Sequence, residues 1–230
     1  MSIKKIIRIL IWITGILCVL STVIQNPMIE LYVKPTTVPL FFVLYWFSVK
    51  KLDIYFLVIL FLCFLGDIFL LTDFDNDFTY VLLCYAICYV MLFYYLYINC
   101  KPLSFGNTDI IYFAIFFIIW TLAAIKIYEV TEGAMDSIRS YGIAYLFILY
   151  ILLIGAVFQY INIRSPKSLW FLVAILNFVI SDCSFALERF YIQSLELRTI
   201  NAIYQLLAVY FLVEFKISSD NSLKIKNIQS

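Results

Sequence analysis

Residues 54–71 read IYFLVILFLCFLGDIFLL, eighteen positions of which one, Asp67, is charged. An apolar stretch of about that length, rising about 1.5 Å per residue as a helix, is long enough to cross the hydrocarbon of a bilayer. Working outward, comparable stretches recur at 6–24, 36–50, 78–98, 109–127, 141–161, 169–187 and 199–217, parted by turns rich in charge, Pro, Asn and Gly. Of the 230 residues 65% are apolar and 13% charged, against about one half and one quarter in soluble domains. No soluble core of this size hides that much apolar surface. The expectation is all-α, a polytopic transmembrane bundle of about eight helices: one domain over 1–217, then a short polar tail over 218–230. Short connections imply that the helices pack as one compact bundle.

The first span starts like a signal peptide, with Lys4, Lys5 and Arg8 ahead of an apolar run, but no small-x-small cleavage site follows. Bulky Leu17 before Cys18 also argues against lipoprotein processing, so the segment is read as a mature helix. Basic residues mark cytoplasmic loops. One side collects Lys4, Lys5, Arg8, Lys50, Lys51, Lys101, Arg164, Lys167, Lys216, Lys224 and Lys226. The other has Lys34, Lys126, Arg139, Arg189 and Arg198, and takes Asp73, Asp75, Asp77, Glu129, Glu132, Asp136, Glu188 and Glu196. Both termini are therefore expected in the cytoplasm, and the location is expected to be a bacterial inner membrane. No basic patch interleaved with aromatics points to nucleic acid. The six cysteines, Cys18, Cys63, Cys84, Cys88, Cys100 and Cys183, fall within or at the ends of helices and read as small packing residues, not a disulfide framework. Without a histidine, a zinc site would need an unusual ligand set.

A charge at bilayer depth costs about 2.5–3.5 kcal/mol on the insertion scale, so such residues face the protein interior and commonly serve a function. The two deepest acids are Asp67, in Phe64-Leu65-Gly66-Asp67-Ile68-Phe69-Leu70-Leu71, and Asp182, in Val179-Ile180-Ser181-Asp182-Cys183-Ser184. Counted from Lys51 and Lys167, both lie roughly 22–24 Å from the inner side of a core about 30 Å thick. They share one level, in the outer half, and each follows a small residue that lets a neighbour approach closely. Lys34 opens the second span, with Pro35 read as lying in its first turn. Arg198, Asn201 and Gln205 fall at i, i+3 and i+7 on the last span, and Arg189 two turns beyond Asp182. The inner half shows no comparable set. These positions predict a polar pocket open to the outer leaflet, two acids at its floor and cations at its mouth. Blander readings stand beside each residue. Lys34 also reads as a snorkelling interfacial lysine, Arg189 and Arg198 as loop residues, and the aspartates as a structural polar pair or as one acid bonded to a lysine. The Phe and Tyr residues read as packing and interfacial belts, and Glu214, near the inner end, as solvated.

Walker, Gly-x-Gly-x-x-Gly, nucleophile-elbow and His-Glu-x-x-His motifs are absent. Three blocks resemble the YhhN family, also called the lysoplasmalogenase family, whose members are eight-helix membrane proteins: Lys34-Pro35 with Pro39, Gly66-Asp67 with Leu70-Leu71, and Ser181-Asp182 followed by Ala186 and Phe190. Members usually carry a histidine on the fourth helix, where this chain reads Leu83-Cys84-Tyr85-Ala86-Ile87-Cys88-Tyr89. The resemblance implies hydrolysis of the vinyl ether of a lysoplasmalogen to a fatty aldehyde and a glycerophospho-headgroup. Asp67 and Asp182 would do the chemistry, one as a protonated general acid and the other as a carboxylate that stabilises the cation and directs water. The lysophospholipid's phosphate would meet Lys34, Arg189 or Arg198, and no metal or organic cofactor is implied.

Two other classes use the same features. A proton-coupled small-molecule or lipid transporter pairs intramembrane acids, and the third and seventh spans occupy corresponding places in two four-helix halves. A non-catalytic lipid-binding protein would keep the bundle and lose the turnover.

Overall fold

The computed structural model describes residues 3–71, 78–99, 106–135 and 138–228, with side chains given through 220 apart from that of residue 135. Asp73, Asp75, Asp77, Cys100, Lys101 and Asp136, and the side chains of Lys224 and Lys226, lie outside the described residues. The described residues form eight helices and no strand: α1 (Ile3–Ile24), α2 (Pro27–Ser48), α3 (Ile54–Leu71), α4 (Phe78–Ile98), α5 (Asn107–Met135), α6 (Arg139–Ile163), α7 (Pro166–Phe190) and α8 (Leu195–Ile228). Seven of them are each long and apolar enough to cross a bilayer. The eighth, α2, carries Glu30 and Lys34 and is flanked by α1, α3 and α8. The protein is a multi-pass, all-helical membrane protein.

Local chemistry sets the helix ends. Ser165, just ahead of Pro166, and Ser168 in the first turn cap α7 reciprocally. The start of α2 corrects the sequence expectation by nine residues. Asn26 Oδ1 accepts from the amides of Met28 and Ile29 at 3.1 and 3.2 Å, and Pro27 occupies a first-turn position where no amide is needed. Pro35 and Pro39 are therefore inside α2. Lys34 does not open this helix; it sits two turns along it. At the other extreme α8 runs on to Ile228, so the segment set apart by composition from 218 continues the helix.

Lipid tails are as apolar as Leu, so close packing and polar contacts between helices hold a bundle together where the hydrophobic effect does not. α7 and α8 pack side by side along the centre, with α1 and α2 on one flank and α3, α4 and α6 completing the ring. Phe41, Tyr45, Phe56, Tyr89, Phe171, Phe178 and Phe215 are fully buried. Tyr45 meets Phe56 edge-on at 4.9 Å, and Phe171 and Phe215 lie as close. A methyl at Gly15 would overlap the Leu206 side chain, which makes that glycine the close-approach point of α1 on α8. α5 packs on α6 and α7 and leaves Ile111, Ile115, Ile118, Ile119 and Leu122 exposed as a lipid-facing surface. The described cysteines are free thiols; Cys63 and Cys88 meet in the core, Sγ to Sγ 3.6 Å, while Cys84 is only partly buried.

At the end where α1 begins and α8 finishes, the structure overturns the expectation that polar groups are scarce. Lys216, buried, bridges Asp53 at 2.6 Å and Asp220 at 3.0 Å. The hydroxyl of Tyr45 donates to Asp220 and that of Tyr95 to Asp53, each at 3.0 Å. Close by, Lys167 donates to Asn99 at 2.6 Å. Glu214 is likewise not simply solvated: it pairs with Arg8 at 2.6 Å and ties α8 to α1.

Candidate active site

On α3, Gly66 leaves the gap into which the ring of Tyr85 packs from α4; a Cβ at 66 would lie 2.6 Å from that ring. The gap brings the Tyr85 hydroxyl to 2.7 Å from Asp67 Oδ1, to which it donates. Gln205 on α8 donates in turn to the Tyr85 hydroxyl at 2.7 Å. Ser181 on α7 lies with its hydroxyl 3.0 Å from Gln205 Oε1 and 3.1 Å from Asn201 Oδ1. A polar chain thus runs Ser181, Gln205, Tyr85, Asp67 across four helices, and its groups satisfy one another where an unpaired one would be costly.

Asp182, next to Ser181, is held from the other side. Tyr89 of α4 and Tyr145 of α6 both donate to its Oδ2, at 2.5 and 2.6 Å, within the short range of hydroxyl–carboxylate bonds. Asp67 is buried and Asp182 partly so. Both acids, with Lys34, Tyr85, Tyr145, Ser181, Asn201 and Gln205, line one cavity of about 60 Å³, more than a single water needs. Its remaining wall is apolar: Leu70, Phe78, Val81 and Leu82, with Gly142 and Leu146 of α6 and Phe185, Ala186 and Phe190 of α7.

A wider space of about 460 Å³ adjoins it and shares Lys34, Leu70, Phe78, Val81, Phe185 and Asn201 with it. Arg189 and Arg198 line this vestibule together with Glu30 and Glu188. Arg198 holds Glu188 at 2.7 Å from across the α7–α8 turn, whereas Lys34 stands 3.8 Å from Glu30 on the same helix. The side chain of Lys34 is only 16% exposed, so it lies inside the protein and does not snorkel out.

The residues singled out from sequence therefore occupy two connected spaces. Asp67, Asp182, Asn201, Gln205 and Lys34 surround the inner one, and Arg189 and Arg198 stand at the outer one beside Lys34 and Asn201. Tyr85, Tyr89 and Tyr145, which clasp the acids, correct the reading of the tyrosines as packing and belt residues alone. Their signal was positional: Tyr85 and Tyr89 are one helical turn apart, in the fourth-helix stretch singled out above. Glu188, counted with the outer loops, is a buried member of the vestibule wall.

The arrangement can hold a proton on either of two carboxyls in a space walled mostly by apolar side chains, and it offers cations to an anion arriving through the vestibule. The sequence model of the YhhN family matches residues 29–219. No match was found among curated proteins or among solved structures.

Proposed function

Since the chain belongs to the YhhN family, we propose that it is a membrane-embedded hydrolase that cleaves the vinyl ether bond of lysoplasmalogens. The observation that carries this reading is that two acids on different helices line one small cavity that opens into a cationic vestibule. The substrate is a single-chain lipid. Its tail lies along the apolar wall toward α6 and its phosphate meets Lys34, Arg189 and Arg198. One aspartate, protonated, gives its proton to the β carbon of the vinyl ether, which leaves an oxocarbenium ion. The other, ionised, stabilises that cation and takes a proton from the water that adds to it. The hemiacetal then collapses to a fatty aldehyde and the glycerophospho-alcohol. Tyr85, Tyr89 and Tyr145 position the two carboxyls, and Asn201 and Gln205 fix the substrate side of the cavity. No metal or organic cofactor takes part. The charge partition supports both termini in the cytoplasm and the vestibule on the opposite side of the membrane.

Run in D2O with purified protein and a lysoplasmalogen, the reaction must place one deuterium on the carbon next to the aldehyde, because the proton is added there. The saturated alkyl ether must be inert. Aldehyde without that deuterium would reject the mechanism, and no aldehyde at all would reject the activity. In that last case the readings left are a transporter and a lipid-binding protein without turnover, the second supported by tyrosines standing in the fourth-helix stretch where the family resemblance implies a histidine.

A further inference from the structure

The vestibule carries more than the cations that a phosphate needs. Two carboxylates share its wall, and they are held differently. Glu188 is buried and engaged by Arg198 at 2.7 Å. Glu30, 26% exposed at its side chain, faces Lys34 at 3.8 Å, beyond direct hydrogen-bond range. The loose pair is the one a ligand can open at small cost, since part-exposed ion pairs of long separation contribute little. Glu30 and Lys34 also stand four residues apart on α2, about 6 Å along its axis. A two-carbon spacer separates phosphate from ammonium over a comparable reach.

We propose that Glu30 accepts the ammonium of a zwitterionic headgroup while Lys34 turns to its phosphate, so that Glu30 sets a preference for amine-bearing over uncharged headgroups. The proposal rests on the reading of the site as one for single-chain phospholipids, whose amine-bearing headgroups the family resemblance already implies, and adds the residue that reads the ammonium, Glu30. In the exchange no charge is left unpaired: the Glu30–Lys34 contact opens, and each partner gains an opposite charge from the lipid. Arg198 stays with Glu188, which leaves the α7–α8 turn in place during binding.

The test uses two saturated alkyl ether lysolipids, one with phosphoethanolamine and one with phosphoglycerol, so no turnover enters the result. Their affinities for the detergent-purified protein are read by isothermal titration calorimetry. Wild type is expected to bind the ethanolamine lipid about five-fold more tightly. Glu30→Gln should equalise the two lipids and Glu30→Asp should keep most of the difference. A preference that persists in Glu30→Gln, or no preference in wild type, overturns the proposal. Failure here leaves the hydrolase reading to stand or fall on aldehyde release from the vinyl ether lipid.

Discussion

At the end of the bundle where α8 finishes, Lys216 stands between Asp53 and Asp220, and Tyr45 and Tyr95 donate to the two carboxylates. At the other end Asp67 and Asp182 are met by hydroxyls of Tyr85, Tyr89 and Tyr145 and border a cavity. Both places set acids, buried or partly buried, among tyrosines. The first matches charge with charge inside the protein and ties the α2–α3 loop to α4 and α8. The second keeps its carboxyls on neutral donors beside open space, where a proton can leave and a cation can form. Charges already engaged with one another in ion pairs are committed to holding helices together, while carboxyls on neutral donors beside a cavity remain available to a substrate.

Mutations can break this comparison. The largest expected effect is at the cavity: Asp67→Asn or Asp182→Asn should each lower aldehyde release by about 10²–10⁴-fold, the usual contribution of a positioned acid or base. The unfolding temperature should shift little, since an amide oxygen still accepts from tyrosine. Lys216→Met should do the reverse. It strands two carboxylates and is expected to cost about 3 kcal/mol of stability, read by thermal unfolding in detergent, with turnover per folded molecule unchanged. A Lys216→Met protein that keeps its stability and loses its rate would erase the distinction. Tyr145→Phe sharpens it, because it leaves Tyr89 as the remaining phenol on Asp182. About a ten-fold loss of rate is expected, the worth of one hydrogen bond to a charged group. The Tyr89→Phe/Tyr145→Phe double variant should lose more than the product of the single losses.

The smallest expected effect concerns pH. Burial pushes the Asp53 carboxyl up, but the hydrogen bond and charge of Lys216, with the Tyr95 hydroxyl, outweigh it and hold Asp53 below the usual carboxylate range. A carboxyl depressed in the folded state contributes stability above its unfolded value, about 3.9, and that stability is lost as pH falls through the folded value. Wild type should therefore lose more unfolding temperature between pH 5 and pH 3 than Asp53→Asn does. Equal losses would remove Asp53 from the lock.

How much of this was legible follows from contrast. Asp67 and Asp182 stand out because a charge inside an apolar run has few readings, and the 198, 201, 205 spacing marks a helix face without any structure. Tyr85, Tyr89 and Tyr145 were hidden among 18 tyrosines, since a tyrosine in a membrane helix is ordinary until its hydroxyl is seen to have a carboxylate. The Asp53–Lys216–Asp220 cluster was hidden for another reason: its charges lie at or just beyond the ends of the apolar stretches, where solvation is the ordinary expectation, and Lys216 reaches Asp53 across 163 positions of sequence, from 53 to 216. The start of α2 was misplaced because Pro35 drew attention from Asn26-Pro27, which carries the cap.

The most direct test of the central claim incubates detergent-purified wild type and the Asp67→Asn/Asp182→Asn double variant with a lysoplasmalogen and measures fatty aldehyde. Aldehyde from wild type and none above background from an equally folded double variant is the predicted result. Equal release from both proteins, or none from well-folded wild type, would contradict it.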